Sequence, residues 1–363
     1  LVLALLGSQT GCQSPSRKAV FPIGIFGASE PADLREVRAA GFNWVVGSAR
    51  PDFLEAAARE GLVVLAQPDG LGDTGILAAD RHPALRSWYV ADEPDMARLP
   101  PATVRAGIRE LRRAGARKPT VLTLWGGREA DHYGRLTDWL MIDRYPIPWM
   151  PLADFPKHLR LGRYAAGPGR PLIPVLQAFD WKAFPKSFPP RPGLRAPDHA
   201  ELRAMAFLAL LEGARGLMFY TYRSGEDRSW DLQQHPETWD AVLRVVREVR
   251  ELEPLFLGQP GWRDFDVGYS DLSDSWNEVF DPAIQAATIH VRHGSASVPA
   301  GQYLVAVNTT RREIGWRFRW RKGGPDRVEE RLSGRSLAPQ PVWFTDRLGA
   351  YDVRVFGPLG PAH

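Results

Sequence analysis

The sequence predicts an α/β protein: a (β/α)8 TIM barrel followed by a small antiparallel β-sandwich. Three observations predict it. Apolar strand-like segments recur eight times before residue 260, most of them followed by an amphipathic helix. These strands are continuous apolar runs, the pattern of a parallel sheet buried on both faces. Beyond residue 260 the helical periodicity stops, and short alternating runs separated by Gly and Pro take over.

Residues 20–27 (VFPIGIFG) read as the first strand, with a helix over 31–40 that Gly41 stops. Residues 42–48 form the second strand, with a helix over 52–60 stopped by Gly61, and residues 62–67 form the third. A short irregular stretch leads to the fourth strand at 86–91, and the helix after it spans 101–114, opened by Pro100-Pro101 and closed by Gly115. Strands five, six and seven fall at 120–125, 139–145 and 172–178. Asp198 caps a long apolar helix over 199–214, and residues 216–222 (GLMFYTY) are the eighth strand. The last helix, 236–253, carries Val242, Val245, Val246, Val249 and Leu252 on one face.

Eight such units imply a closed barrel. A doubly wound open sheet would carry a Gly-rich phosphate turn after its first strand, and Gly24-Ile-Phe-Gly27-Ala-Ser-Glu lacks the third Gly. The runs at 286–291, 303–308, 315–320, 328–332, 342–344 and 351–356 read as the sandwich. Three parts follow: an N-terminal segment and linker (1–18), the barrel (19–260) and the sandwich (261–363). The Pro/Arg-rich stretch 185–197 reads as a long loop, which a barrel places at its catalytic face.

Composition excludes several classes. The chain has 363 residues, 44% hydrophobic and 24% charged, with a formal net charge of +4. Basic residues are scattered among acids, so no block tracks nucleic-acid phosphates. The densest group, Arg317, Arg319, Arg321 and Lys322, alternates with Trp316, Phe318 and Trp320 as one polar face of a strand. Residues 1–6 are apolar and run into Gly7-Ser-Gln-Thr-Gly-Cys12. A short apolar core before small residues is a secretory signal, too short to span a membrane. Cys12, the single cysteine, sits in a setting that resembles a bacterial lipoprotein processing site, with Gly11 before it. Gln9 stands where such sites usually carry Leu. An ordinary cleaved signal is the other reading, and both imply export. One cysteine excludes an intramolecular disulfide framework.

The most informative segment is LRSWYVADEPD at 85–95. An apolar strand delivers Asp92 and Glu93 at its C-terminal tip, where barrels place their active sites. A helix cap would account for one acid there, not for both. The other strand tips offer Gln67 and Asp69 (third), Trp125 (fifth), Asp143 and Tyr145 (sixth), Gln177, Asp180 and Trp181 (seventh), and Tyr220, Tyr222 and Arg223 (eighth). A bowl of carboxylates, hydroxyls, amides and aromatic faces suits sugars, whose C–H faces lie on rings while their hydroxyls bond polar groups.

Glycosidic cleavage needs two carboxyl groups. Glu93 is the first choice for proton donor, because burial at an apolar strand tip raises a carboxyl pKa; a structural ion pair or cap is its bland alternative. Asp143 is the first choice for the partner and shares strand parity with Tyr145; its alternative is pairing with Arg144. Asp180 could swing in from the loop after strand seven, or could simply hold a turn beside Trp181.

An eight-unit barrel with acids closing strand four, trailed by a sandwich, resembles the large retaining-glycosidase barrel clan. That clan ends strand four in Asn-Glu, the Glu being acid/base, and Asp92-Glu93 occupies the matching place. Its nucleophile is a Glu ending strand seven, where this chain has Gln177. The segments YLVAVNT (303–309) and YDVRVF (351–356) are similar to the small sandwich behind many glycosidase barrels. The resemblance implies a glycoside hydrolase acting on carbohydrate without a cofactor. Barrel glycosidases with acids on strands four and six also exist, which suits Glu93 and Asp143. Two rivals stand beside this reading: a barrel that binds glycans without cleaving them, motivated by Gln177, and a hydrolase using a carboxylate-held metal, for which Asp69, Asp92 and Asp143 are the available ligands. No HExxH, GxSxG or P-loop motif is present. His290 and His293 fall on opposite faces of a strand, which argues against a metal pair. Lys182 is the lone lysine near a strand tip.

Overall fold

Eight parallel strands close on themselves in sequence order. The computed structural model describes residues 19–68, 70–186, 191–224, 229–261, 265–269 and 283–359. Cys12 and Asp69 lie outside the described residues. The barrel strands are β1 (Ile23–Ile25), β2 (Trp44–Ser48), β3 (Val63–Gln67), β4 (Leu85–Asp92), β5 (Thr120–Leu124), β6 (Trp139–Asp143), β7 (Leu172–Gln177) and β8 (Leu217–Tyr220). Parallel pairing of β1 with both β2 and β8 completes the ring. The strands are almost wholly buried, as their continuous apolar composition requires.

Around them run α1 (Leu34–Ala39), α2 (Pro51–Arg59), α3 (Asp73–Arg81), α4 (Pro101–Arg113), α5 (Ala130–Tyr133), α6 (Asp154–Ala166), α7 (His199–Leu211) and α8 (Pro236–Glu251). Three of these helices, α3, α5 and α6, were not expected. Helix α3 occupies the stretch read as irregular. Gly75 interrupts it and only Ile76, Ala79 and Asp80 are buried, so its apolar stripe is thin. Helix α6 carries Pro156 at its third position, in the first turn, where a missing N–H costs little.

Helix α7 is apolar nearly all round, with ten of its thirteen residues buried. A helix of that kind needs cover on both sides, and the C-terminal region supplies the second. After α9 (Glu253–Phe256), a four-stranded antiparallel sheet runs β11 (Gln259–Gly261), β13 (Ile284–Val291), β14 (Gly301–Asn308) and β19 (Val353–Leu359). The boundary expected at residue 260 falls inside β11. A three-stranded sheet of β12 (Phe265–Tyr269), β15 (Ile314–Trp320) and β18 (Phe344–Leu348) packs behind it. Two two-stranded ribbons complete the sheets: β9 (Arg223–Ser224) with β10 (Trp230–Asp231), and β16 (Val328–Glu329) with β17 (Ser336–Leu337).

Alternation decides which face goes where. Ala287, Ile289, Val305, Val307, Val353 and Val355 join the barrel's own core, while Ile284, Leu304, Ala306 and Phe356 meet Trp316 and Phe318 of the outer sheet. The inner sheet is thus buried on both faces, and the barrel core continues into the sandwich.

The end of the barrel where strands begin is closed by charge. Arg250, near the end of α8, donates to Phe21 O (2.7 Å), and Glu253 accepts from Phe21 N (3.0 Å). The chain therefore enters β1 at the face opposite the strand tips. No helix among the described residues is long and apolar enough to cross a membrane.

Candidate active site

The site begins with an irregularity in β4. Its pairing with β5 runs Trp88↔Thr120 and Tyr89↔Val121, then resumes at Ala91↔Leu122, leaving Val90 as a bulge. A bulge re-aims every side chain after it. Strict alternation would put Tyr89 and Asp92 on opposite faces. Here the Tyr89 hydroxyl donates to Asp92 Oδ1 and contacts Thr123 Oγ1 (2.8 Å). Trp88 faces the other way, its indole N–H bonded to Asp80 of α3 (2.8 Å).

The next residue, Glu93, continues the ladder by donating to Thr123 O (3.0 Å). Its backbone sits at φ +41°, in the left-handed region. That conformation costs an L-residue about 1–3 kcal/mol and persists where surroundings over-determine it. The result is that Asp92 and Glu93, neighbours in sequence, both face one cavity. Asp143 reaches the same cavity from the tip of β6, and Tyr145, two residues on, points the same way and donates to Asp143 Oδ2 (3.3 Å).

Glu93 and Asp143 lie within hydrogen-bonding range of each other. Ionising both carboxyls at once is disfavoured at such a separation. Asp143 is 4% exposed and its Oδ1 has no hydrogen-bond donor. Burial, then the Glu93 charge, pushes the Asp143 pKa well above the usual carboxyl range. Burial also raises Glu93, reinforced by the charges of Asp92 and Asp95 and opposed by the hydrogen bond from Asp143. Asp143, the more enclosed of the two, is pushed up further than Glu93. Burial raises Asp92 as well, opposed by the Tyr89 hydroxyl.

A fourth acid, Asp95, accepts from Trp125 N (3.1 Å), and burial raises it too. Among the described residues none of these four acids is ion-paired: Arg144 pairs with Asp154 instead (2.6 Å).

The cavity encloses about 190 Å³. At about 30 Å³ per water that is roughly six waters, the scale of one sugar ring. Its walls are aromatic: Phe26, Trp125, Tyr145, Phe179, Trp181, Phe184 and Tyr220, with Met96 at the edge. The rings hold one another edge-on, as in Tyr145 against Phe179 (5.1 Å, 90°) and Phe179 against Trp181 (4.9 Å, 74°). Tyr145 and Tyr220 stack at 5.8 Å. Trp149 extends the wall beside Trp181, with the Arg191 guanidinium over its ring (4.1 Å).

The structure brings together Asp92, Glu93, Trp125, Asp143, Tyr145, Trp181 and Tyr220 of the residues expected from sequence. It sets the others elsewhere. Gln177 is fully buried and clasps the loop after β6, accepting from Ile147 N (3.1 Å) and donating to Ile147 O (2.9 Å) and Phe179 O (3.2 Å). Asp180 caps the short turn Trp181–Ala183 through Lys182 N (2.9 Å) and pairs with Lys182 Nζ (3.6 Å). Gln67 is exposed at the end of β3 and does not line the cavity. Strand β8 stops at Tyr220, so the alternation expected through residue 222 breaks. Tyr222 turns outward to Glu36 (3.1 Å), and Arg223 is held by Asp33 (2.6 Å) and Asp231 (3.2 Å).

Sequence reasoning left out Phe26 and Phe184 of the wall, and Tyr89 behind Asp92. Phe26 carried a signal, because it ends the first strand. Tyr89 carried none, because only the bulge after it brings Asp92 round to the same side. Among the described residues no group of three or more His, Cys, Asp or Glu is arranged to hold a metal ion.

No protein-family model matches the chain, and no curated protein matches it. Solved structures do. A β-galactosidase from Bacillus circulans sp. alkalophilus aligns over 93% of this chain and 98% of its own at 9% identity, with a TM-score of 0.61. A GH27 β-L-arabinopyranosidase from Geobacillus stearothermophilus aligns over 94% and 97% at 12% identity, TM-score 0.57. An α-amylase from Geobacillus thermoleovorans aligns over 93% and 97% at 11% identity, TM-score 0.50. The likeness is one of fold: a closed parallel barrel followed by antiparallel sheets.

Proposed function

We propose that this chain is a glycoside hydrolase whose two catalytic carboxyl groups are Glu93 and Asp143. The observation that carries the reading is the convergence of these two acids from separate strand tips, inside an aromatic cavity the size of one sugar ring. The glycosidase neighbours, alike in fold over nearly the whole chain, support it.

The burial order assigns the roles. Asp143, which holds the proton, donates it to the glycosidic oxygen as the bond to the anomeric carbon breaks. The Glu93 carboxylate attacks that carbon and forms a glycosyl ester. Asp143, now ionised, takes a proton from the water that hydrolyses the ester, and Glu93 leaves as carboxylate. These roles exchange those expected from strand position alone, where Glu93 was the donor. Inversion needs about 6.5–9.5 Å between carboxyl groups to seat a water, whereas retention uses about 5–5.5 Å. Two acids in hydrogen-bonding range lie nearer the retaining separation than the inverting one, and part to about 5–5.5 Å as the sugar enters.

A panel of aryl glycosides and polysaccharides tests this, with Glu93→Ala and Asp143→Asn variants. Each variant should lose about 10²–10⁴-fold in turnover. Azide should rescue Glu93→Ala with a glycosyl azide of inverted configuration. Full activity in either variant overturns the assignment.

Export rests on residues 1–6 and Cys12. We propose lipid attachment at Cys12, which radiolabelled palmitate incorporation and its loss in Cys12→Ser would show.

A further inference from the structure

The cavity is rich in acceptors and poor in donors. Among the described residues that line it there is no Lys, Arg, His, Asn or Gln. Its polar groups are the carboxyls of Asp92, Glu93 and Asp143, two tyrosine hydroxyls, and the indole N–H groups of Trp125 and Trp181, the latter bonded to Ile147 O (2.9 Å). Those hydroxyls are engaged already: Tyr145 on Asp143 (3.3 Å) and Tyr220 with Ser224 Oγ (2.6 Å). Asp143 Oδ1, on a side chain 4% exposed, meets no ordinary donor.

A neutral sugar presents hydroxyls that both give and accept hydrogen bonds, and sites for them mix amides and guanidiniums with acids. Beyond the Trp125 indole N–H, the described wall offers a ligand little to accept from. It offers instead three acids with no cationic partner among the described residues, and flat aromatic faces, both of which attract a cation. An ammonium donates three hydrogen bonds and accepts none, which matches what the wall lacks.

We infer that the sugar held in this cavity is a hexosamine with a free amine, its ammonium lying among Asp92, Glu93 and Asp143 while the apolar face of the ring rests on the aromatic wall. The inference rests on the carbohydrate reading above and names its substrate class. A charge-assisted hydrogen bond in an enclosed site is among the stronger ones. N-acetylation removes the charge and adds bulk, so the acetylated sugar should bind poorly.

The test uses the wild-type protein and simple probes. Glucosamine and galactosamine, their N-acetyl forms, and glucose and galactose are titrated at pH 7 by calorimetry, with tryptophan fluorescence as a second signal because Trp125 and Trp181 line the cavity. At least one free amine should bind about tenfold or more tighter than its acetylated and hydroxyl counterparts, about 1.4 kcal/mol. Asp92→Asn, checked for folding by circular dichroism, should erase most of that preference. Equal affinities, a preference for neutral or acetylated sugars, or no amine-sugar binding at millimolar concentration overturns the inference. Amine-selective binding without cleavage of any glycan would uphold it while sinking the hydrolase reading. Cleavage of neutral glycans without amine preference would do the reverse.

Discussion

Replacing Asp143 by Asn tests the raised Asp143 pKa without needing a substrate. In the fold, burial and the Glu93 charge hold the Asp143 pKa well above the ordinary range. In the unfolded chain its carboxyl titrates near about 3.9. Between those two values the native state binds one proton more than the unfolded state. Stability therefore falls as pH rises through that window, by about 1.4 kcal/mol per pH unit, and levels off above the folded pKa. An amide does not ionise, and its N–H can donate to the Glu93 carboxylate. The variant should lose that slope, so its stability relative to wild type should climb by about 1.4 kcal/mol for each unit of the window. An unfolding entropy of about 2.1 cal/mol/K per residue, over a chain of 363 residues, gives about 0.8 kcal/mol/K. Each pH unit then separates the two melting temperatures by about 2 °C. Thermal melts of both proteins at half-unit steps from about pH 4 to pH 8 read the difference. Parallel melting curves, or a variant advantage greatest in acid, would refute the raised pKa.

Two further substitutions probe residues that stand near the site without facing it. Gln177→Glu restores the acid that a strand-seven nucleophile would need, yet it removes both amide N–H donors to Ile147 O and Phe179 O in a fully buried place. It should cost about 3 kcal/mol in denaturant unfolding and bring no gain in turnover. Asp180→Ala removes a turn cap and should cost about 1 kcal/mol while leaving kcat/KM on an aryl glycoside within about twofold of wild type.

Much of this arrangement could be read before any coordinates, and the exceptions have physical causes. Strand count and order follow from apolar runs long enough to be buried on both faces. The convergence of Glu93 and Asp143 follows from their place at two strand tips, and the common direction of Asp143 and Tyr145 from simple alternation. What periodicity misses is where the period itself changes. The bulge at Val90 turns Tyr89 and Asp92 toward each other, and the left-handed Glu93 brings a second acid onto the same side. The end of β8 at Tyr220 throws Tyr222 outward. Gln177 belongs to the same class of failure. A strand-tip amide looks like a ligand group in sequence, and only the loop it clasps reveals a structural duty. Helix α7 shows the opposite case. Its all-round apolar character was plain, but which layer covered its far side depended on a sheet almost a hundred residues downstream.

The clasp of Arg250 and Glu253 on Phe21 has a consequence for how the molecule stands in its surroundings. It fixes Phe21 at the floor of the barrel, while the acids open at the mouth. Any tether joined through the residues before that point pulls on the floor. A protein held this way would keep the acids of the cavity the height of the barrel away from its point of attachment.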